Sequence, residues 1–244
     1  MTLTDFPALA VPGMVTSVLD TAEISDLAAA ADRLLVREEL EQLAAIRNGT
    51  RRREWLAVRI CVKSMMLRDG LVADAQDCRI SKGPCGRPYI VTPSGEHLPG
   101  IGDCSLSHKG RFACACLSRH ASTRVGVDIE EISPRLQGLR GAFARPSDTF
   151  GHTESTDEDL TVLWTLKEAY SKAIGTGIQV GLGNLICDED PETRALSVRT
   201  PIGGRARARH FIYKGYAIGV CFANESHIRP ARDFATNQSQ LGTS

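Results

Sequence analysis

Residues 125–130, V-G-V-D-I-E, alternate in the period of a strand with one buried face. Val125, Val127 and Ile129 fall on one side, and Gly126, Asp128 and Glu130 on the other. Two carboxylates thus share a face roughly 7 Å apart, at about 3.3 Å of rise per residue. Residues 164–177, W-T-L-K-E-A-Y-S-K-A-I-G-T-G, carry the helical period instead, with Trp164, Glu168 and Lys172 spaced by four and nearly in line. Packing that helix on that strand would gather three acids and a lysine, a set suited to a hard cation.

The remaining pattern is predicted in chain order. The first dozen residues, with Pro7, Pro12 and Gly13, read as a loose lead-in, and residues 14–19 as a first strand. A helix is expected from an N-cap at Ser25 to about Arg47, stopped by Gly49. A second is expected over residues 51–68, with Leu56, Cys61, Val62, Met65 and Met66 on its apolar side. Residues 78–118 break into short strands and turns, with 112–117 a buried strand by its alternation. Residues 131–156, rich in Gly, Pro, Ser and Arg, predict a mobile connection with one short helix. Ser155 with Glu158 is a capping-box candidate for the helix that follows. Beyond Gly177 come strand-like pieces at 196–199, 210–213 and 216–222, then a polar tail over 225–244 expected to be disordered. Each half shows a helical stretch and then a hairpin ending in a small-residue strand, a hint of internal duplication.

Composition changes this picture in three places. A chain of 244 residues that is 42% hydrophobic can bury one large core or two small ones. Lys+Arg and Asp+Glu are both 29, so no global field favours nucleic acid or an anionic membrane, and any basic site is local. No leader-like N-terminus and no membrane-length apolar run is present, so a cytoplasmic protein is expected. Eight cysteines without a C-x-x-C pair predict reduced, buried thiols rather than zinc or disulfides.

Three cationic segments stand out. Arg51, Arg52 and Arg53 open the second helix, followed by Arg59 and Lys63. Most of these suit a solvated face, yet the helix start also suits an anion. Arg79, Lys82 and Arg87 surround Gly83-Pro84 and Gly86, a glycine-punctuated segment able to wrap a phosphate or to form an exposed turn. His108 lies at a strand–turn junction beside Ser105 and Ser107, where a histidine is more often structural than functional.

G-R-P-Y, S-L-S-H, V-G-V-D-I-E and W-T-L-K-E-A-Y-S-K-A-I-G, in that order over about residues 50–224, resemble the 4′-phosphopantetheinyl transferases, most closely the larger pseudo-dimeric, surfactin-synthetase-activating type. The last two motifs carry the specificity. R-R-R-E-W-L-A-V-R also resembles the family's arginine-led helix. The resemblance implies an α+β chain of two similar subdomains related by a pseudo-two-fold, 1–120 and 121–224, with the active site in the cleft between them and a monomer sufficient. It implies transfer of the phosphopantetheine arm of coenzyme A to a serine of an apo acyl, peptidyl or aryl carrier protein, releasing adenosine 3′,5′-bisphosphate. Asp128, Glu130 and Glu168 would hold Mg²⁺. Asp128, Glu168 and Lys172 would be catalytic. Coenzyme A would be held by Arg51 or Arg53, Arg79, Lys82, Arg87, Ser107, His108 and Lys172, with Lys167 assisting.

Departures from the family pattern fall outside the metal motif: residues 131–156 are polar and glycine-rich, and Ser105 replaces an asparagine common before the histidine. Two other classes fit part of the pattern. A non-catalytic carrier or coenzyme A binding module would be expected to lack a metal acid or the helix lysine. An Mg²⁺-dependent nucleotide phosphohydrolase would leave W-x-x-K-E-A-x-x-K unexplained.

Overall fold

The computed structural model of the chain describes residues 3–6, 9, 11–83, 86–150, 156–175, 181–201 and 203–227. The chain divides into two compact units, Met1–Ala121 and Ser122–Ser244, each mixing helices with antiparallel sheet.

The first unit orders its strands β1 (Leu3–Asp5), β2 (Met14–Asp20), β6 (Phe112–Ser118) and β5 (Asp103–Lys109) side by side. Leu3–Asp5 therefore is a strand, paired with residues 17–19, and not loose lead-in. The helix expected over residues 25–47 is two helices, α1 (Leu27–Leu34), capped by Asp26 rather than Ser25, and α2 (Arg37–Ala45). Gly49 does not stop a helix; with Asn48 as cap it begins α3 (Gly49–Arg68). The hairpin β3 (Arg79–Lys82) and β4 (Pro88–Val91) stands apart as a two-stranded sheet.

A buried charge cluster explains the break between α1 and α2. Glu39, 1% exposed, accepts the amide of Ile80 at 3.0 Å and lies 2.8 Å from the Lys63 ammonium. Lys63 also donates to the carbonyls of Ala75 and Cys78, at 2.9 and 2.7 Å. Arg59 stacks on Trp55, 3.2 Å from the ring centroid, and burial lowers its pKa to about 10 although Glu39 opposes the shift. Arg59 and Lys63, expected on a solvated face, are thus core residues. A lone Glu39 could not be buried, and its partners make the turn into α2 possible.

The second unit arranges β7 (Thr123–Glu131), β11 (Tyr216–Asn224), β10 (Arg205–Tyr213), β9 (Leu196–Arg199) and β8 (Ile186–Glu189) in that order. Residues 134–143 form a 3-10 turn, Pro134–Leu139, and a short helix α4 (Arg140–Phe143). The long helix α5 (Asp157–Ile174) is capped by Thr156 and Asp159 and ends at Gly175 in the left-handed region, φ 73°. Ser155, the expected cap, lies outside the described residues, as do Pro84 and residues 228–244 of the tail. Glu225–His227 form a short 3-10 turn.

Both units share one topology. A long strand (β2 or β7), a helix lying on the sheet (α3 or α5), and a hairpin whose second strand pairs back with the first (β5–β6 or β10–β11) recur in order. The seven described cysteines are all buried and free. Among the described residues no helix is long and apolar enough to cross a membrane.

Candidate active site

Sheet alternation puts Gly126, Asp128 and Glu130 on the face of β7 that α5 covers. An added Cβ at Gly126 would lie 1.8 Å from the Ala169 carbonyl oxygen, and one at Gly219 on β11 would lie 3.0 Å from the Thr165 carbonyl carbon. Two glycines thus let the helix backbone settle directly on the strands beside Asp128, Gly126 two residues before it and Gly219 facing it across the ladder.

That approach brings the acids and lysine together. Lys172 donates to Asp128 Oδ1 at 2.7 Å and to the Val127 carbonyl at 3.1 Å. Asp128 is 6% exposed. Glu130 lies 3.6 Å from Arg135, a partner that sequence reasoning missed because nothing marks one arginine of that polar segment. Burial raises the pKa of Glu168; Asp128 and Glu130 push the same way, while Lys172 opposes them. Glu168 therefore sits in the field of both strand acids, as the i,i+4,i+8 spacing predicted.

The donor set suits Mg²⁺. Three hard oxygen donors with one lysine can accept a divalent charge, and Mg²⁺ takes few carboxylates while keeping waters or substrate phosphates. The acids do not form a ready cage: among the described residues no three His, Cys, Asp or Glu side chains are grouped closely enough to chelate a metal. Lys172 supplies the positive charge beside Asp128.

Burying Glu168 beside two other acids has a measurable cost. A carboxyl whose folded pKa is raised favours folding below its unfolded value, and that contribution is lost as pH rises through the folded pKa. In chelator-treated protein, Glu168→Gln is therefore expected to have a higher Tm than the parent at pH 8. The gap should close towards pH 4; thermal melts across that range check it, and equal Tm at pH 8 would contradict the strained carboxylate.

The phosphate-binding candidates of the first unit are only partly assembled. Arg53 and His108 line one hollow of about 300 Å³ with Thr50, Glu54, Arg111 and Phe112. Arg53 also borders a neighbouring apolar hollow of about 400 Å³, whereas Arg51 lines neither. His108 is 3.6 Å from Glu54. Ser107, 7% exposed, points to the opposite face of β5 from His108, so the pair does not act from one side. Arg87 forms an ion pair with buried Asp103, which the sequence reading did not single out. Arg79 donates to Ser81 at 3.0 Å, and Lys82 is exposed at the end of β3.

Lys167 is a correction. Expected to assist at coenzyme A, it is wholly buried and donates to the Phe143 carbonyl at 2.7 Å and to Asp148 at 2.8 Å. One residue from Glu168 on a helix is about 100° around the axis, which turns Lys167 away from the acids. Burial lowers its pKa while Asp148 opposes that shift.

Asp128, Glu130 and the whole of α5 lie within residues 124–221, which match the model of the 4′-phosphopantetheinyl transferase superfamily. A phosphopantetheinyl transferase of Thraustochytrium is 30% identical over 165 residues, covering 61% of this chain and 55% of that protein. A 4′-phosphopantetheinyl transferase of Bacillus subtilis is 24% identical over 124 residues, 48% of this chain and 54% of that one. The chain thus spans just over half the length of these relatives. A Thermotoga maritima holo-[acyl-carrier-protein] synthase structure aligns over 57% of this chain and 79% of its own, at 23% identity and TM-score 0.35.

Proposed function

We propose that the protein transfers the 4′-phosphopantetheine arm of coenzyme A to a serine of an apo acyl, peptidyl or aryl carrier protein, releasing adenosine 3′,5′-bisphosphate. The observation that carries this reading is the Asp128–Glu130–Glu168–Lys172 cluster on β7 and α5, inside the region that matches the superfamily model. The shared topology of the two units supports a duplicated chain, for which a monomer is sufficient.

Asp128, Glu130 and Glu168 would hold Mg²⁺, which when bound would neutralise charge developing on the diphosphate oxygens. Glu168 takes the proton of the carrier serine, a task its raised pKa suits by making it a stronger base. The serine oxygen bonds to the phosphorus next to pantetheine as the bond to the nucleotide phosphate breaks. Lys172 gives a proton or a hydrogen bond to that leaving phosphate. Arg53 and His108, with Arg79, Lys82 and Arg87, bind the phosphates of coenzyme A.

The test is incubation with coenzyme A, Mg²⁺ and a panel of apo carriers. Adenosine 3′,5′-bisphosphate is expected only when carrier is present. Its release at the same rate without carrier would favour a phosphohydrolase instead. Because Arg53 and not Arg51 borders the hollow beside His108, Arg53→Ala is expected to raise the KM for coenzyme A roughly tenfold, a lost charge-assisted contact. Arg51→Ala should stay within about twofold; steady-state kinetics of both variants decide between them.

A further inference from the structure

The buried pair Lys167–Asp148 has no part in the chemistry above, yet it joins three elements of the second unit. Asp148, 3% exposed, receives the Lys167 ammonium at 2.8 Å and the Arg145 amide at 2.7 Å on one oxygen, and the Cys187 amide of β8 at 2.7 Å on the other. Lys167 also donates to the carbonyl of Phe143, whose ring meets Trp164 edge-on at 5.2 Å. Residues 143–148, expected to be a mobile connection, are thus fastened to α5 at Trp164 and again one turn later at Lys167. The next residue after that second fastening is Glu168.

We propose that Lys167 and Asp148 are positioning residues that fix the rotation of α5 about its own axis, and with it the placement of Glu168 and Lys172 over β7. The glycine contacts at Gly126 and Gly219 set how closely α5 approaches the strands, and the buried pair adds a directional restraint on its rotation. In the apolar cluster that includes α5, strands β10 and β11 contribute Ala206, Ala208, Ala217, Cys221 and Ala223, small residues that interlock with a helix less firmly than large ones. A buried ion pair with fixed hydrogen-bond directions resists rotation. Its value to stability is small, since replacing a buried pair by uncharged groups is often neutral or favourable. Its effect on geometry is large, because a misplacement of about 1 Å in a reacting group can cost up to a hundredfold in rate.

The inference rests on the transferase reading for its kinetic arm only. Lys167→Met/Asp148→Asn removes both charges together and keeps an acceptor for the Cys187 amide. The double variant is expected to keep its far-ultraviolet circular dichroism and a Tm close to the parent. Its kcat should fall on the order of tenfold or more with the KM for coenzyme A unchanged. Mg²⁺ should also shift its Tm less than it shifts that of the parent, because the carboxylates no longer converge. A folded double variant with parental kcat and a parental Mg²⁺ shift overturns the proposal. Should the double variant not fold, Lys167→Gln is measured, which leaves Asp148 the Arg145 and Cys187 amides and an uncharged donor, and parental values there overturn it equally. If the parent itself transfers nothing, the transferase reading fails, and the Mg²⁺ shift still judges the role of the pair.

Discussion

Asp128→Asn is expected to lower transfer to a carrier protein by on the order of a thousandfold or more, with folding intact. Asparagine has the shape of the carboxylate it replaces, and Asp128 is nearly buried, so the strand should pack as before. What disappears is charge. Asp128 holds the Lys172 ammonium at 2.7 Å and is the acid closest in effect to Glu168. Removing it takes one carboxylate charge from the proposed metal site and loosens the lysine, which keeps the Val127 carbonyl as a partner. Kinetics with saturating coenzyme A and Mg²⁺, beside a circular dichroism spectrum, check the expectation. Activity within tenfold of the parent would place the reaction elsewhere.

Gly126→Ala is expected to cost about 3 kcal/mol, a drop in Tm of roughly 6–12 °C. The new methyl carbon would stand 1.8 Å from the Ala169 carbonyl oxygen and 2.7 Å from the Ala173 amide nitrogen, both backbone atoms of α5. No side chain can swing aside there; the helix itself must lift. Ala169 adjoins Glu168 and Ala173 adjoins Lys172, so transfer should fall even at temperatures where the variant is fully folded. Calorimetry and kinetics below the transition test both parts. An unchanged Tm would show that α5 does not lie on the strand as described.

These two positions also show what a sequence can disclose. The alternation of residues 125–130 and the four-residue spacing of Trp164, Glu168 and Lys172 identify the acidic strand and helix, because period and spacing are local properties. That Gly126 shares the face of Asp128 is equally legible. That it is glycine in order to admit a helix backbone is not, since the approach is between distant segments. The same limit hides Glu39, Lys63 and Asp148. Glu39 and Asp148 are charged residues in polar-looking stretches and Lys63 is a lone charge in an apolar run, and only the tertiary fold supplies the partners that let them be buried. The expected single helix over residues 25–47 fails for that reason: no glycine or proline marks the break, and Glu39 turns inward to a lysine far along the chain. Lys167, adjacent to Glu168 in a motif rich in function, misleads in the opposite sense.

The residues of the first unit are legible as chemistry and less so as geometry. Arg53 and His108 share a hollow that no spacing rule foretells, while Ser107, next in sequence to His108, faces away. Arg87 is engaged by Asp103.

The most direct test of the account is the intact mass of an apo carrier protein after incubation with the chain, coenzyme A and Mg²⁺. The account predicts that the carrier gains the mass of one phosphopantetheine group, lost again when its acceptor serine is replaced by alanine. Consumption of coenzyme A with every carrier left at its starting mass would contradict it.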